Sequence, residues 1–167
     1  MNEILVNADD FGLHPDINRG ILDGVAAGTV RSLSICPTGA AVDWSALRDA
    51  HAARIHVGLH LALMGEPWAT TGWVIPDWTV LVRRLAFGGR PFLRLIEAEA
   101  AAQLGRLRDH GLCPDHLDSH QHVHVLPARW PLCCRLAQTN GIPRLRVPAT
   151  PRWRLVRRSS SAAVLQG

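Results

Sequence analysis

Short apolar runs alternate with amphipathic stretches along this chain, and this alternation constrains the fold more than any other feature. Residues 4–8, 32–35 and 55–61 predict buried strands, because each run is largely apolar and is bounded by polar or turn-forming residues. Helical periodicity follows the first two runs, over residues 15–28 and 44–51. A repeating strand and helix order predicts a parallel α/β sheet with right-handed crossovers.

The second half of the chain continues this order. The clearest helical pattern spans residues 93–107 and leads to a fourth strand at residues 116–120. A helix from Pro127 to Gly141 and a fifth strand at residues 145–147 follow. Candidate functional residues follow the first, third and fourth strands. Because strand ends converge at the mouth of a barrel but spread along the edge of an open sheet, we predict a barrel-like (TIM-like) α/β fold of parallel βα repeats.

The composition is that of one globular domain. The chain has 167 residues, 47% of them hydrophobic, which is enough to bury one sizeable core. We assign residues 1–150 to this domain and residues 151–167 to a basic, poorly ordered tail. Apolar runs stay below the roughly 18 residues that a membrane span needs, and no basic leader precedes the first strand, so we expect a cytoplasmic protein.

The absence of two residue types from the chain excludes some catalytic mechanisms. All 18 basic residues are arginine and tyrosine is absent, so lysine Schiff-base chemistry and tyrosine acid catalysis are excluded. The arginines within residues 144–158 suit a nucleic-acid-binding arm, but no aromatic-interleaved motif accompanies them and a solvated tail is favoured. The cysteines lack a C-x-x-C spacing, which argues against a thiolate zinc site and favours small buried roles for Cys36, Cys113, Cys133 and Cys134.

Adjacent acids in the motif NADDFG form the first candidate site. The side chains of Asp9 and Asp10 would point in opposite directions in an extended strand, so only a turn, which Gly12 allows, can bring both into one site. One carboxylate would then bind a metal and the other would act as a general base. A cap on the following helix is the alternative for one of the two.

Histidines in the motifs GLHL and HLDSHQHVH form the second part of the site. His60 ends an apolar strand, where an unpartnered imidazole is costly, and His120 occupies the equivalent end of the next strand. Together they predict metal ligation. Asp118 is the best partner to orient an imidazole, and His124 is either a further ligand or a substrate contact. Two nitrogens and a carboxylate favour Zn²⁺ in an open, catalytic site, while Mg²⁺ and Mn²⁺ are also compatible.

A proline- and tryptophan-rich stretch separates the two histidine motifs. Residues 65–91 include Trp68, Trp73 and Trp78 and show no clean periodicity. Such a stretch after a strand end is typical of a loop that covers a substrate, and it is equally typical of a hydrophobic pad over the core.

The three motifs resemble those of the YdjC-like carbohydrate deacetylase family, which includes chito-oligosaccharide deacetylases and a hopanoid-biosynthesis-associated branch. They occur in the family's order and with similar spacing. The resemblance implies removal of acetyl from an N-acetylated sugar, with a divalent metal ion (Mg or Zn) held by Asp10, His60 and His120 and with Asp9 as the base. It also implies that an arginine faces the substrate, either Arg144 or Arg146.

The sequence differs from the family in stopping after about the fifth strand. We therefore expect an incomplete barrel, either because the chain is C-terminally truncated or because a second copy or another chain completes it, and weak or no activity of the isolated chain. An exposed sheet edge would accompany the missing strands. The alternatives are an inactive or carbohydrate-binding remnant of the family and, less favoured, an arginine-rich nucleic-acid-binding protein.

Overall fold

The computed structural model describes residues 4–126 and 130–147. Strands and helices alternate within those ranges, and a short 3₁₀ segment, His120–Val125, follows the fourth strand. The elements are β1 (Asn7–Phe11), α1 (Pro15–Ala26), β2 (Ser32–Ile35), α2 (Trp44–Ala52), β3 (His56–Leu61), α3 (Trp78–Phe87), α4 (Gly89–Asp109), β4 (His116–Ser119), α5 (Trp130–Thr139) and β5 (Arg144–Leu145).

The strands form one parallel sheet in the order β1-β2-β3-β4-β5. A doubly wound sheet reverses its strand order at a switch point, whereas this order follows the chain without reversal. Right-handed crossovers in such a sheet place every connecting helix on the same face. The structure therefore confirms the parallel α/β fold and has the strand order of a segment of a βα barrel.

The two faces of the sheet have opposite chemistry. Leu33, Leu59 and Leu117 belong to the face that forms the hydrophobic core, together with residues of α4 such as Ile96 and Leu104. The opposite face, which we call the polar face, collects the alternate residues of the same strands. Its members on β2, β3 and β4 are Ser32, Ser34, His56, Gly58, His60, His116 and Asp118.

A glycine on the polar face makes room for a histidine ring. Gly58 is paired with His116, and a Cβ on Gly58 would lie 2.1 to 2.4 Å from three atoms of the His116 ring. We expect Gly58→Ala to lower the free energy of unfolding by about 3 kcal/mol, the upper end of the usual cost of overpacking, in urea denaturation. Gly105→Ala in α4, where a Cβ meets nothing within 4 Å, is the matched control and should be neutral or stabilising. Equal stability of the two variants would contradict this account.

The first strand lies further along the chain than the sequence predicted. We expected a strand over residues 4–8, but β1 spans Asn7–Phe11, and the side chain of Ile4 is 87% exposed. Paired strand residues begin at Asn7, and Val6 contacts the start of β2 through its carbonyl, which accepts from the Ser32 N–H at 3.2 Å. The acidic pair is therefore part of the strand rather than of a loop that follows it.

The other elements agree more closely with the sequence. The predicted strand at residues 32–35 is β2, and Asp43 caps α2 by accepting hydrogen bonds from the backbone N–H groups of Ser45 and Ala46. Helix α3 was not predicted, because its tryptophan- and proline-rich surroundings obscure the periodicity that Asp77 begins as an N-cap. Pro127 and residues 151–167 lie outside the described residues, so the tail stays a prediction.

The tryptophan-rich stretch is packed on the core in one part and exposed in another, and a role in covering a substrate stays a prediction. Trp68 is buried, donates its indole N–H to the Leu63 carbonyl and stacks on Phe92, as a pad over the core would. Trp73 is 40% exposed, with the Arg84 guanidinium 4.2 Å from its ring centre. The buried Glu99 of α4 fixes this stretch by accepting hydrogen bonds from Ala69 and Thr70.

Helices in the described ranges are too short or too polar to cross a membrane.

Candidate metal centre

A bulge in β1 brings the two adjacent aspartates into one site. The pairing of β1 with β2 slips between Ala8 and Phe11, and Asp10 within the slip has a left-handed backbone (φ 69°), which aspartate tolerates better than most residues. The extra residue lets Phe11 return to the hydrophobic core. We predicted a turn at Gly12 for this purpose. Gly12 does lie in a turn, with φ 104°, but the slip in pairing that contains Asp10 occurs before it, inside the strand.

Asp10 lies between two imidazole rings. Its Oδ1 atom is 3.1 Å from Nε2 of His60 and 2.9 Å from Nδ1 of His120. Hydrogen bonds from His120 and His60 hold the pKa of Asp10 far below its usual range, so it is a carboxylate at neutral pH. These residues come from β1, β3 and the start of the segment after β4, and they meet at the carboxyl ends of the strands as predicted.

His60 is oriented by a second carboxylate. Its Nδ1 atom lies 2.7 Å from Oδ1 of Asp118, and both side chains are buried. Burial alone would lower the pKa of His60, but hydrogen bonds to Asp10 and Asp118 outweigh it and raise the pKa to about 9. Asp118 accepts the hydrogen bond from Nδ1–H, and the ring orientation that this bond fixes leaves Nε2 facing Asp10.

Arg146 joins Asp9 to Asp118. Its Nη1 atom donates to both carboxylate oxygens of Asp9, at 2.6 and 2.7 Å, and to Oδ2 of Asp118 at 3.0 Å. The Asn7 side-chain amide also donates to Asp9, at 2.7 Å. Burial raises the pKa of Asp118, but the hydrogen bonds from His60 and Arg146 outweigh it and hold that pKa at about 2. The structure thus places Arg146 against the acids of the site.

Arg144 lies at the other end of β4. It forms an ion pair with Asp115 (2.6 Å) and contacts Nδ1 of His56 (3.0 Å). Asp115 also bonds to His56 and, at 2.7 Å, to Nδ1 of His116. We call these four residues the lower cluster. Since Asp115 precedes β4 whereas His120 follows it, the structure does not bring Arg144 to the aspartates of the site.

Ser34 connects the lower cluster to Asp118, the partner of His60. Its hydroxyl donates to Oδ2 of Asp118 at 2.9 Å and lies 3.1 Å from Nε2 of His116. Sequence reasoning missed Ser34, His116 and Asn7 as parts of this network. The signal that could have found Ser34 is the alternation in SLSI, which puts two serines on one face of an otherwise apolar strand.

His124 uses both of its nitrogens within the protein. Nδ1 lies 2.6 Å from the Ser119 hydroxyl and Nε2 lies 2.8 Å from the Arg146 carbonyl oxygen. Burial lowers the pKa of His124, so the ring is neutral, donates from Nε2 and accepts at Nδ1. The structure places His124 behind Arg146, where it supports the backbone that carries the guanidinium.

The lower cluster makes stability depend on pH. Burial raises the pKa of Asp115, but hydrogen bonds from His116 and His56 and the charge of Arg144 outweigh it and lower that pKa from 3.8 to about 2. A carboxyl group whose pKa is lowered by folding stabilises the protein above its unfolded pKa, and this contribution is lost as the pH falls through the folded pKa. We expect Asp115→Asn to lower the free energy of unfolding by about 1–2 kcal/mol at pH 7, and by about half as much near pH 3. Urea denaturation at both pH values checks this, and a deficit that is independent of pH would contradict it.

The donor set suits a divalent cation. Asp10 offers an oxygen, His60 and His120 offer imidazole nitrogens, and the far nitrogen of His60 is held by a carboxylate, which is the usual support of a metal-ligating histidine. Donor atoms of Asp10, Cys36 and His60 lie within 4.8 Å of one another, as do those of Asp9, His60 and Asp118. His120 belongs to neither group and reaches the site through its 2.9 Å contact with Asp10. The residues present therefore fit a divalent metal ion.

Comparison with known proteins identifies the family of the chain. The family model described as YdjC-like protein matches residues 3–166. Similar relatives include the chitooligosaccharide deacetylase of Klebsiella pneumoniae (strain 342), 35% identical over 143 residues, and that of Escherichia fergusonii, 34% identical over 146 residues. Each alignment covers 83% of this chain and 57% of the relative, so the chain spans little more than half of their length.

A solved structure has the same fold. It is the crystal structure of a protein from Enterococcus faecalis V583 to which cellobiose-phosphate cleavage is provisionally assigned. The two chains superpose with a TM-score of 0.66 and 25% sequence identity, over 87% of this chain and 58% of the other. From the family match, the relatives and the shared fold together, we conclude that this chain belongs to the YdjC-like family.

Proposed function

We propose that this chain carries the metal centre of a carbohydrate deacetylase that removes acetyl from an N-acetylated sugar. The observation that carries the proposal is the division of the acidic pair: Asp10 lies between two imidazoles, while Asp9 is held apart by Arg146. Relatives named chitooligosaccharide deacetylase support the reaction and the substrate class. A cytoplasmic location stays a prediction from the sequence.

The first set of residues would hold the cation. Asp10, His60 and His120 supply the oxygen and nitrogen donors, and Asp118 fixes the ring of His60 so that Nε2 faces the centre. A bound divalent cation supplies Lewis-acid polarisation of the acetamide carbonyl and lowers the pKa of bound water. Imidazole donors favour Zn²⁺, and carboxylate oxygens are also compatible with Mg²⁺.

Asp9 would act as the general base. Its carboxylate is on the same side of the sheet as the metal donors, but its oxygens are held by Arg146 and Asn7 rather than by the histidines. In this position Asp9 takes a proton from the attacking water, and the Arg146 guanidinium fixes the orientation of the carboxylate. The amide bond of the substrate then breaks, the departing nitrogen receives the proton that Asp9 had taken, and acetate and a free amino sugar are formed.

Acetate release tests this function directly. The purified chain is stripped of metal by a chelator and then assayed with N-acetylglucosamine oligomers, with and without added Zn²⁺ or Mg²⁺. Because an incomplete barrel predicts weak activity, we expect acetate to form slowly, and only when a divalent cation is added. Cation binding together with sugar binding but without acetate would overturn the proposal and would favour the non-catalytic, carbohydrate-binding alternative.

A further inference from the structure

The thiol of Cys36 lies beside the proposed metal centre. Cys36 follows β2 directly, and strand alternation puts it on the polar face after Ser32 and Ser34. Its backbone N–H donates to the Phe11 carbonyl at 2.9 Å, which joins it to the end of β1, and its side chain is fully buried. Cys36 thus follows β2, which lies between β1 and β3 in the sheet. Asp10 belongs to β1 and His60 belongs to β3.

Three different donor types meet at this point. An oxygen of Asp10, the sulfur of Cys36 and a nitrogen of His60 all lie within 4.8 Å of one another. One cation at this point could therefore be reached by an oxygen, a sulfur and a nitrogen from three different parts of the chain.

The backbone around Cys36 cannot easily move away. The Gly39 N–H donates to the Cys36 carbonyl at 3.1 Å, and a Cβ on Gly39 would lie 2.3 Å from the Gly12 carbonyl oxygen. A Cβ on Gly12, which has φ +104°, would lie 2.9 Å from the Cys36 carbonyl oxygen. The loops after β1 and β2 are therefore packed closely at Gly12 and Gly39, which restricts movement of the backbone that carries Cys36.

We propose that Cys36 is a sulfur ligand of this metal centre and that the centre therefore selects thiophilic cations such as Zn²⁺ over Mg²⁺. The inference rests on the proposed function for the presence of a metal, and it deepens that function by naming a donor and a class of cation. On binding, a bond forms between sulfur and the cation, and the thiol proton is released to solvent. Soft thiolate donors favour Zn²⁺, whereas Mg²⁺ prefers oxygen donors.

The spacing of the cysteines in the sequence pointed away from such a role. A thiolate site is usually recognised by closely spaced cysteines, and Cys36 has no such neighbour. In the structure its co-ligands come from other strands of the sheet, which the spacing of cysteines alone does not report. We expected the cysteines to be small buried residues. Cys36 is buried, as expected, but Cys113 is exposed.

Cobalt substitution tests the proposal without measuring activity. The metal-free full chain is titrated with Co²⁺, and we expect an intense thiolate-to-cobalt charge-transfer absorption in the near ultraviolet. Cys36→Ser and Cys36→Ala should abolish this band, and Cys113→Ser is the matched control that should keep it. By calorimetry we expect Cys36→Ala to weaken Zn²⁺ binding about 10-fold or more while leaving Mg²⁺ binding unchanged.

The outcomes separate this proposal from the proposed function. Co²⁺ binding without a charge-transfer band in the unmodified chain would overturn the role of Cys36 and leave the deacetylase function standing. A band that persists in Cys36→Ala would overturn it as well. Failure of the unmodified chain to bind any divalent cation would overturn both proposals. Because the spectrum of the unmodified chain decides the first case, the test does not depend on the variants folding.

Discussion

Asp9→Asn is expected to lower kcat for acetate release by about 10²–10⁴-fold, the usual contribution of a general base, while the chain keeps its affinity for a divalent cation. The amide of asparagine retains the size of the carboxylate and can still accept a hydrogen bond from Arg146, but it cannot take up a proton. Steady-state kinetics with an N-acetylglucosamine oligomer gives the rate, and calorimetry with Zn²⁺ gives the affinity.

The same experiment distinguishes the roles of the two neighbouring aspartates. Asp10→Asn should weaken cation binding, because Asp10 is the residue that lies against both His60 and His120. Asp23→Asn, at an exposed position of α1, is the matched control and should change neither quantity. If Asp9→Asn lost cation affinity to the same extent as Asp10→Asn, Asp9 would be a ligand rather than the base.

Asp118→Asn is expected to weaken cation binding by about 10–100-fold, the usual effect of removing the partner of a metal-ligating histidine. One Asp118 oxygen faces Nδ1 of His60 and the other faces donors from Ser34 and Arg146. An asparagine must turn its NH₂ group toward one of these sides. If the NH₂ group faces Ser34 and Arg146, a donor lies against the Arg146 donor. If it faces His60, the proton of His60 must move from Nδ1 to Nε2, which is the nitrogen that would bind the cation.

Calorimetric titration with Zn²⁺ measures this loss, and urea denaturation of the metal-free variant shows whether the fold survives. Asp49→Asn, at an exposed position of α2, is the matched control. Unchanged cation affinity in a folded Asp118→Asn variant would show that His60 is oriented without its carboxylate partner.

The placement of His60 and His120 near one edge of the sheet could be predicted from the sequence because it depends on simple periodicities. His60 and His120 each end or follow an apolar run, and the carboxyl ends of parallel strands lie at one edge of the sheet. The bulge at Asp10 could not be predicted, since it depends on the register of β1 against β2 and not on β1 alone.

The arginine partners of Asp9 and Asp115 could not be predicted from the sequence, because these contacts also depend on tertiary packing. Arg146 lies 137 residues from Asp9 along the chain, and no local pattern links the two. Arg144 and Arg146 were equivalent candidates in the sequence, yet they lie at opposite ends of the network, because Arg144 begins β5 and pairs with Asp115 while Arg146 follows it. Such choices are made by tertiary packing.

The opposite chemistry of the two sheet faces also bears on how the strands find their partners. Sliding β3 or β4 by one residue would turn His60 or Asp118 into the layer beneath the helices and would turn Leu59 or Leu117 outward. An unpaired imidazole or carboxylate in an apolar layer costs several kcal/mol. Misregistered sheets are therefore penalised by the very residues proposed to handle metal and substrate. Replacing several of them with apolar residues would remove the chemistry and would also make the alternative alignments of the strands more nearly equal in energy.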